Sequence, residues 1–377
     1  MITLGVIGYG YWGPNLVRNF LEVPGGRVGF VTDLRSTRLA QATARYPSVK
    51  VSTDHRDLIK DPSVDAVAIA TPVSSHFDLA MEALRAGKHV LVEKPMTIDL
   101  AEADRMVAAA RETGRTLACV FQRRWWPAAQ RLRAAIDAGK IGAPVLGRCS
   151  LSWWRTQAYY ARDAWRGRWD TEGGGVLVNQ GIHAIDMFQW LMGGEPEEVV
   201  GRWSNQTHPY IEVEDSAAAI VRFRGGALGV LSATTSARLS QNAIVVDGSK
   251  GHTVGVVEEP EGAVGYNHVW TIPGEEEVAA RSLAEHVAAG EYIYQAGPGL
   301  TAGPEEGHYW PTDYRYRRPA SPNYHARQIA DLVAAIRAGR RPLVDAVEGR
   351  KSVAILLAIY ESGRTGLPVR VDAPVVA

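Results

Sequence analysis

The chain opens with an apolar run, Ile2 Thr3 Leu4 Gly5 Val6 Ile7, which reads as a short buried strand. It leads into Gly8 Tyr9 Gly10 Tyr11 Trp12 Gly13, and after Pro14 the apolar spacing of Asn15 to Leu21 predicts a helix. Arg27 to Asp33 predicts a second strand, Ala66 to Ala70 a third and His89 to Val92 a fourth, with helices over Ser75 to Ala86 and Ala101 to Glu112. Leu117 to Phe121 adds another strand. Strand and helix in alternation imply right-handed parallel crossovers and a doubly wound sheet. Pro127 then opens a helix to about Ala138, with Gly139 as its stop. Ala217 to Phe223 and Leu228 to Ala233, joined by Gly225 Gly226, read as a hairpin, and Ala243 to Asp247 as a further strand. A short helix is expected over Glu275 to Ala288, longer ones over Tyr324 to Ala338 and Ala346 to Gly363, and a last strand over Pro368 to Val371.

These elements define an α/β chain of two domains. Residues 1–123 form the doubly wound parallel sheet, and 124–377 an α+β domain with a large mixed, mainly antiparallel sheet, its C-terminal helices free to pack back on the first domain. Residues 257–324, rich in Gly, Pro, Tyr, His and acidic side chains, read as an insertion or arm.

Composition narrows the partners. The 377 residues are 46% hydrophobic, and 41 Lys+Arg balance 41 Asp+Glu, so nothing points to nucleic acid or an anionic membrane surface. Two cysteines, Cys119 and Cys149, give neither a disulfide framework nor a zinc pattern, and no metal site is expected. With no apolar run near the ~20 residues of a membrane span, the expected setting is cytoplasmic.

The glycine loop carries the first chemistry. Gly8, Gly10 and Gly13 stand as G-x-G-x-x-G between strand and helix: the first glycine for a tight turn, the second for backbone approach to a pyrophosphate, the third for close packing. Asp33 follows Gly13 at the distance where a carboxylate binds adenosine ribose hydroxyls, which favours NAD over NADP. Arg35 and Arg38 leave the choice open, since either could cover a 2′-phosphate or simply be a solvated charge. Thr71 Pro72 and Glu93 Lys94 Pro95 sit at carboxyl ends of strands, the edge that faces ligand in open α/β sheets.

A second stretch, Glu172 Gly173 Gly174 Gly175 Val176 Leu177 Val178 Asn179 Gln180 Gly181 Ile182 His183 Ala184 Ile185 Asp186, puts an amide, an imidazole and a carboxylate on an apolar helix. On a regular α-helix Asn179 and His183 lie roughly 40° apart, and His183 and Asp186 roughly 60°, hence on one face. Such a stripe is costly to bury unless each group is paired or used. Trp125, Trp126, Trp153, Trp154, Trp165 and Trp169 crowd the approach to it, as core or as faces for sugar rings.

With these residues in place the chain resembles the Gfo/Idh/MocA family of sugar and polyol oxidoreductases over nearly its whole length. The match rests on Gly8-x-Gly10-x-x-Gly13, Ala70 Thr71 Pro72 with His76, Gly87 to Pro95, Gly173 to Asp186, Gly339 to Asp345, and Ala358 Ile359 Tyr360 Glu361 Ser362. The resemblance implies a Rossmann domain, a bound nicotinamide cofactor, hydride transfer at a sugar carbinol, and Lys94 with His183 as the catalytic pair. On the cofactor side it places Gly8, Tyr9, Gly10, Tyr11, Trp12, Gly13, Asp33, Arg35, Thr71, Pro72, His76, Glu93, Lys94, Gln122, Trp165 and Arg166. On the substrate side it places Asn179, Asp186, Arg124, Trp125 and Tyr159. Many family members carry Asp where this chain has Asn179. The Gly-Gly-Gly-x-x-x-Asn-Gln-Gly-x-His form is most similar to dehydrogenases that oxidise the 3-hydroxyl of sugars, such as levoglucosan dehydrogenase and glycoside 3-oxidases. The partner expected is a sugar or glycoside, and the assembly a homo-oligomer, dimer or tetramer. Two other readings stay open: cleavage of a glycoside through transient oxidation, and a cofactor-sensing regulator on the same fold.

Overall fold

The computed structural model describes residues 1–238, 242–258, 265–288 and 323–372. The chain divides into two compact units. The first takes Met1–Gln122 with Asn323–Val353, the second the described residues of Arg123–Pro322 and Ala354–Ala373.

In the first unit six parallel strands, β1 (Ile2–Ile7), β2 (Gly26–Thr32), β3 (Lys50–Ser52), β4 (Ala66–Ile69), β5 (His89–Val92) and β6 (Leu117–Cys119), are ordered β3-β2-β1-β4-β5-β6. Every residue of β1 and β4 is buried, which is why these strands read as apolar runs without alternation: helices cover both faces of the sheet. The helix Gly13–Leu21 buries Leu16, Val17 and Phe20 against this core. Ile329, Leu332 and Val333 of the helix Tyr324–Ala338 join the same cluster. Asn323 fixes that helix start, accepting from Ala326 N (3.2 Å) while its amide donates to Asn19 (2.7 Å).

The second unit carries an eight-stranded sheet. Its strands are β7 (Pro144–Ser152), β8 (Pro196–Ser204), β9 (Ser216–Phe223), β10 (Leu228–Thr234), β11 (Asn242–Gly248), β12 (Thr253–Glu258), β13 (Gly265–Trp270) and β14 (Val369–Arg370), ordered β13-β12-β11-β7-β10-β9-β8-β14. All pairs are antiparallel except β7 with β10. Alternate residues of β9, β10 and β11 are buried, as expected of strands with one face on a core. The helix Ile182–Met192 lies on that face, and glycine at 147 in β7 and 229 in β10 makes room for it. A Cβ at Gly229 would come within 2.5 Å of the Phe188 ring.

Five strands, β3, β7, β8, β12 and β13, were not expected from the pattern. The short helix expected from Glu275 begins at Val278. Within the stretch read as an arm, Gly265–Trp270 and Val278–Ala288 form a sheet strand and a helix, while 259–264 and 289–322 lie outside the described residues. Among the described residues no helix is long and apolar enough to cross a membrane.

Candidate functional site

The glycine loop of the first unit has the geometry its motif requires. Gly8 has φ +92°, and a Cβ there would lie 2.8 Å from Ala70 O. A Cβ at Gly13 would run into the Gly8 carbonyl, so only glycine lets the helix start this close to the strand. At Gly10 the nearest atom to a built Cβ is Arg35 Nη2 at 3.5 Å, leaving the concave side of the turn open to a ligand. The helix Gly13–Leu21 has no side-chain cap, so its leading N–H groups and positive dipole end face the same loop.

Asp33 stands just past β2. Its Oδ2 accepts from Tyr9 N (2.8 Å), and its Oδ1 from Arg35 N (2.9 Å) and Arg35 Nε (3.0 Å). Burial opposes its charge, but the hydrogen bonds from Arg35 and Tyr9 outweigh it and hold the carboxyl below its ordinary range. Tyr9 contributes through this N–H, because its ring is 3% exposed and belongs to the core. Tyr11 packs edge-on to Trp12, whose other ring neighbour is His325 at 5.1 Å. Burial pushes the His325 imidazole down to about 4.

At the strand ends, Thr71 Oγ1 accepts from Ser75 Oγ (2.7 Å), and Pro72 is exposed. His76 departs from its expected place at the cofactor. It is 1% exposed, with Nδ1 at 2.9 Å from Pro95 O and Nε2 at 3.0 Å from Thr71 O, so it ties together the loops after β4 and β5 instead of facing a ligand. Burial pushes its pKa down. Glu93 is buried, and Oε2 accepts a long hydrogen bond from Lys94 N (3.3 Å) while Oε1 has no hydrogen-bond partner among the described residues. Burial raises its carboxyl to about 7. Lys94 and Gln122 are half-buried. An open glycine turn, a carboxylate at the end of the second strand and an orphaned buried carboxylate oxygen beside Lys94 all fit a bound dinucleotide.

In the second unit, residues Leu177–Gly181 are wound as a π-helix before the regular helix Ile182–Met192. The 40° spacing expected of Asn179 and His183 therefore does not hold, because the wider turn lies between them; such turns concentrate at functional sites. His183 is half-buried. Asn179 Nδ2 donates to Glu172 Oε1 (2.6 Å), while Glu172 Oε2 accepts from Gly167 N (2.6 Å). The sequence pattern did not mark Glu172 as the partner; a glutamate directly before a glycine triplet was the available signal.

Asp186 does not share the exposed stripe. Both its oxygens accept from Arg124, at 2.7 and 2.9 Å, and the two side chains are 1% and 0% exposed. This sealed ion pair corrects the expectation that either residue contacts substrate. Trp125, beside it on the turn Gln122–Trp125, is half-buried. Trp165 and Arg166, expected at the cofactor, group with Tyr159. The Arg166 guanidinium lies over the Trp165 and Tyr159 rings (4.3 and 4.6 Å), and Nη1 donates to Tyr159 Oη (2.7 Å). Gln180 Nε2, on the π-helical turn, also donates to that hydroxyl (3.2 Å).

A parallel sheet with a glycine-rich first turn, followed by a unit that sets a histidine helix on a large sheet, defines a dinucleotide-dependent oxidoreductase of two domains. Residues 2–121 match the model of the oxidoreductase family with NAD-binding Rossmann fold, and residues 129–254 that of the GFO/IDH/MocA C-terminal domain. The chain belongs to the Gfo/Idh/MocA family of oxidoreductases. It is 32% identical over 254 residues to myo-inositol 2-dehydrogenase of Thermotoga maritima, covering 66% of this chain and 74% of that protein. It is 29% identical to 1,5-anhydro-D-fructose reductase of Ensifer adhaerens, covering 69% and 78%. The alignments span about two thirds to three quarters of these curated relatives. Among solved structures, the WlbA dehydrogenase of Bordetella pertussis in complex with NADH and UDP-GlcNAcA is 26% identical, with 98% of each chain covered and a TM-score of 0.81.

Proposed function

We propose that the protein oxidises a sugar carbinol with NAD, and that the carbinol is the 3-hydroxyl of a pyranose or glycoside. The observation that carries this is the Asn179–Glu172 hydrogen bond at the start of the helix bearing His183. An amide held by a carboxylate orients and does not titrate. In the run from Leu177 to Ile185, His183 is the one side chain able to exchange a proton near neutral pH. The Asn-Gln-Gly-x-His form and the sugar nucleotide held by the WlbA relative support the pyranose reading.

Alcohol oxidation needs a proton acceptor for the hydroxyl and an oriented hydride acceptor. Bound NAD supplies the hydride acceptor. His183 takes the hydroxyl proton, histidine being the side-chain type that exchanges protons near neutral pH. Lys94 provides the cation that stabilises the developing alkoxide. Gly8, Gly10 and Gly13 would hold the pyrophosphate and Asp33 the adenosine ribose, with Glu93 on the cofactor side beside Lys94. Asp33 favours NAD, since it would repel the extra phosphate of NADP. Tyr159, Trp165 and Arg166 form a polar, aromatic wall suited to a sugar ring.

The test is a panel of free sugars, anhydrosugars, glycosides and sugar nucleotides with NAD or NADP, following absorbance of the reduced cofactor and identifying the product by NMR. A 3-keto sugar formed with NAD is expected. No reduction across the panel would overturn the proposal, and release of a free aglycone without net reduced cofactor would replace it with glycoside cleavage through transient oxidation.

A further inference from the structure

Glu214 is 0% exposed, and both its carboxylate oxygens and its backbone carbonyl accept from one short piece of chain. Its Oε2 accepts from Gly175 N (2.8 Å), its Oε1 from Leu177 N (2.9 Å), and its backbone carbonyl from Val176 N (3.1 Å). These three successive N–H groups lead into the π-helical turn, where a helix start leaves donors without intrahelical partners. Tyr360, on the helix Ala346–Thr365, donates its hydroxyl to Glu214 Oε1 (2.9 Å). Its ring is packed by Trp169 (5.2 Å) and Trp203 (6.1 Å), and Trp203 Nε1 donates to the Tyr360 carbonyl (3.1 Å).

This arrangement gives a physical reason for the glycine triplet. A Cβ at Gly175 would run into the Glu214 carbonyl oxygen, and one at Gly174 into the Tyr360 hydroxyl. Side chains at those positions would push the anchor and the turn apart. Asn179 follows two residues after the last anchored N–H, and His183 four residues later.

We infer that Glu214 and Tyr360 are positioning residues for Asn179 and His183, acting through the turn that precedes them. The inference rests on the proposed role of His183 in proton transfer. Neither residue needs to touch substrate. The carboxylate receives three donors, two N–H and one O–H, and Glu214→Gln necessarily turns an NH₂ toward at least one of them. The turn must then shift, and a displacement of about 1 Å at a reacting group costs on the order of 10²-fold in rate.

The experiment compares Glu214→Gln and Tyr360→Phe with the wild-type full chain. Three quantities are read: kcat and KM for the sugar found by the panel, NAD affinity, and the His183 ring resonances by NMR, assigned with His183→Asn. Glu214→Gln is expected to lose on the order of 10–10²-fold in kcat, with KM and NAD affinity within about threefold. Tyr360→Phe, which keeps the ring and removes one donor, should lose less, and both variants should move the His183 resonances. If kcat of the folded protein is unchanged in Glu214→Gln, or the His183 resonances stay in place, the inference is overturned and the pair merely stabilises the fold. If the wild type reduces no NAD with any sugar, the proposed function fails, and the resonances still decide whether Glu214 sets the environment of His183.

Discussion

Replacing Asp33 by asparagine tests the cofactor half of the account in detail. Its two oxygens each accept a backbone N–H, from Tyr9 at 2.8 Å and Arg35 at 2.9 Å. An asparagine has one acceptor oxygen, so whichever way it turns, its NH₂ meets one of those N–H groups and the loop is distorted. The substitution also removes the charge proposed to receive the ribose hydroxyls. A hydrogen bond to a charged group contributes about 1.5–3 kcal/mol, which corresponds to a loss of roughly 10–150-fold in NAD affinity. NADP should lose less, because the negative charge facing its phosphate is gone while Arg35, 58% exposed at its side chain, is released from its carboxylate partner. The assay is calorimetric titration of wild type and Asp33→Asn with both cofactors. An NAD affinity within about threefold of wild type, or an unchanged preference between the cofactors, would refute the assignment of Asp33 to the ribose.

Asp186→Asn breaks the sealed pair with Arg124 and leaves a buried guanidinium uncompensated, a change worth about 3–5 kcal/mol; thermal melting should fall by roughly 10 °C. A variant that melts like the wild type but loses sugar affinity would instead restore Asp186 as a substrate contact. Burial raises Glu93 from 4.5 to about 7, so its favourable contribution to stability is complete below pH 4.5 and is lost as pH rises through about 7. Without nucleotide, Glu93→Gln should therefore gain in melting temperature relative to wild type between pH 6 and pH 8, and a difference independent of pH would contradict the burial of an ionisable carboxyl there.

How much of this could be read from the chain depends on how local each feature is. The loop from Gly8 to Gly13 was legible because its three glycines answer to contacts within a few residues and to the neighbouring strand. β1, β4 and β5 were legible because strands buried on both faces are plain apolar runs. β7 was not, since its buried residues are Gly147, Cys149 and Leu151, alternating with Leu146, Arg148 and Ser150. The glycine that hides this strand is the one that admits the helix above it. At the site, Asn179 and His183 stood out as polar groups on an apolar segment, but their surroundings did not. Glu214 reaches Gly175 across 39 residues, and Tyr360 reaches Glu214 across 146. Asp186 was misread for the same reason. Helical spacing placed it near His183, while the cation that takes it, Arg124, lies 62 residues away in sequence. The π-helical turn was likewise invisible, because Leu177 to Gly181 has no residue that distinguishes it from a regular turn.

The claim at the centre of the account is that Lys94 and His183 carry the proton and charge chemistry of hydride transfer to NAD. Its most direct test is single-turnover reduction of NAD by the sugar found in the panel, in wild type, Lys94→Ala and His183→Asn, with NAD affinity measured separately. Each variant is expected to slow the hydride step by roughly 10²–10⁴-fold while NAD binding stays intact. A hydride step near the wild-type rate in either variant would contradict it.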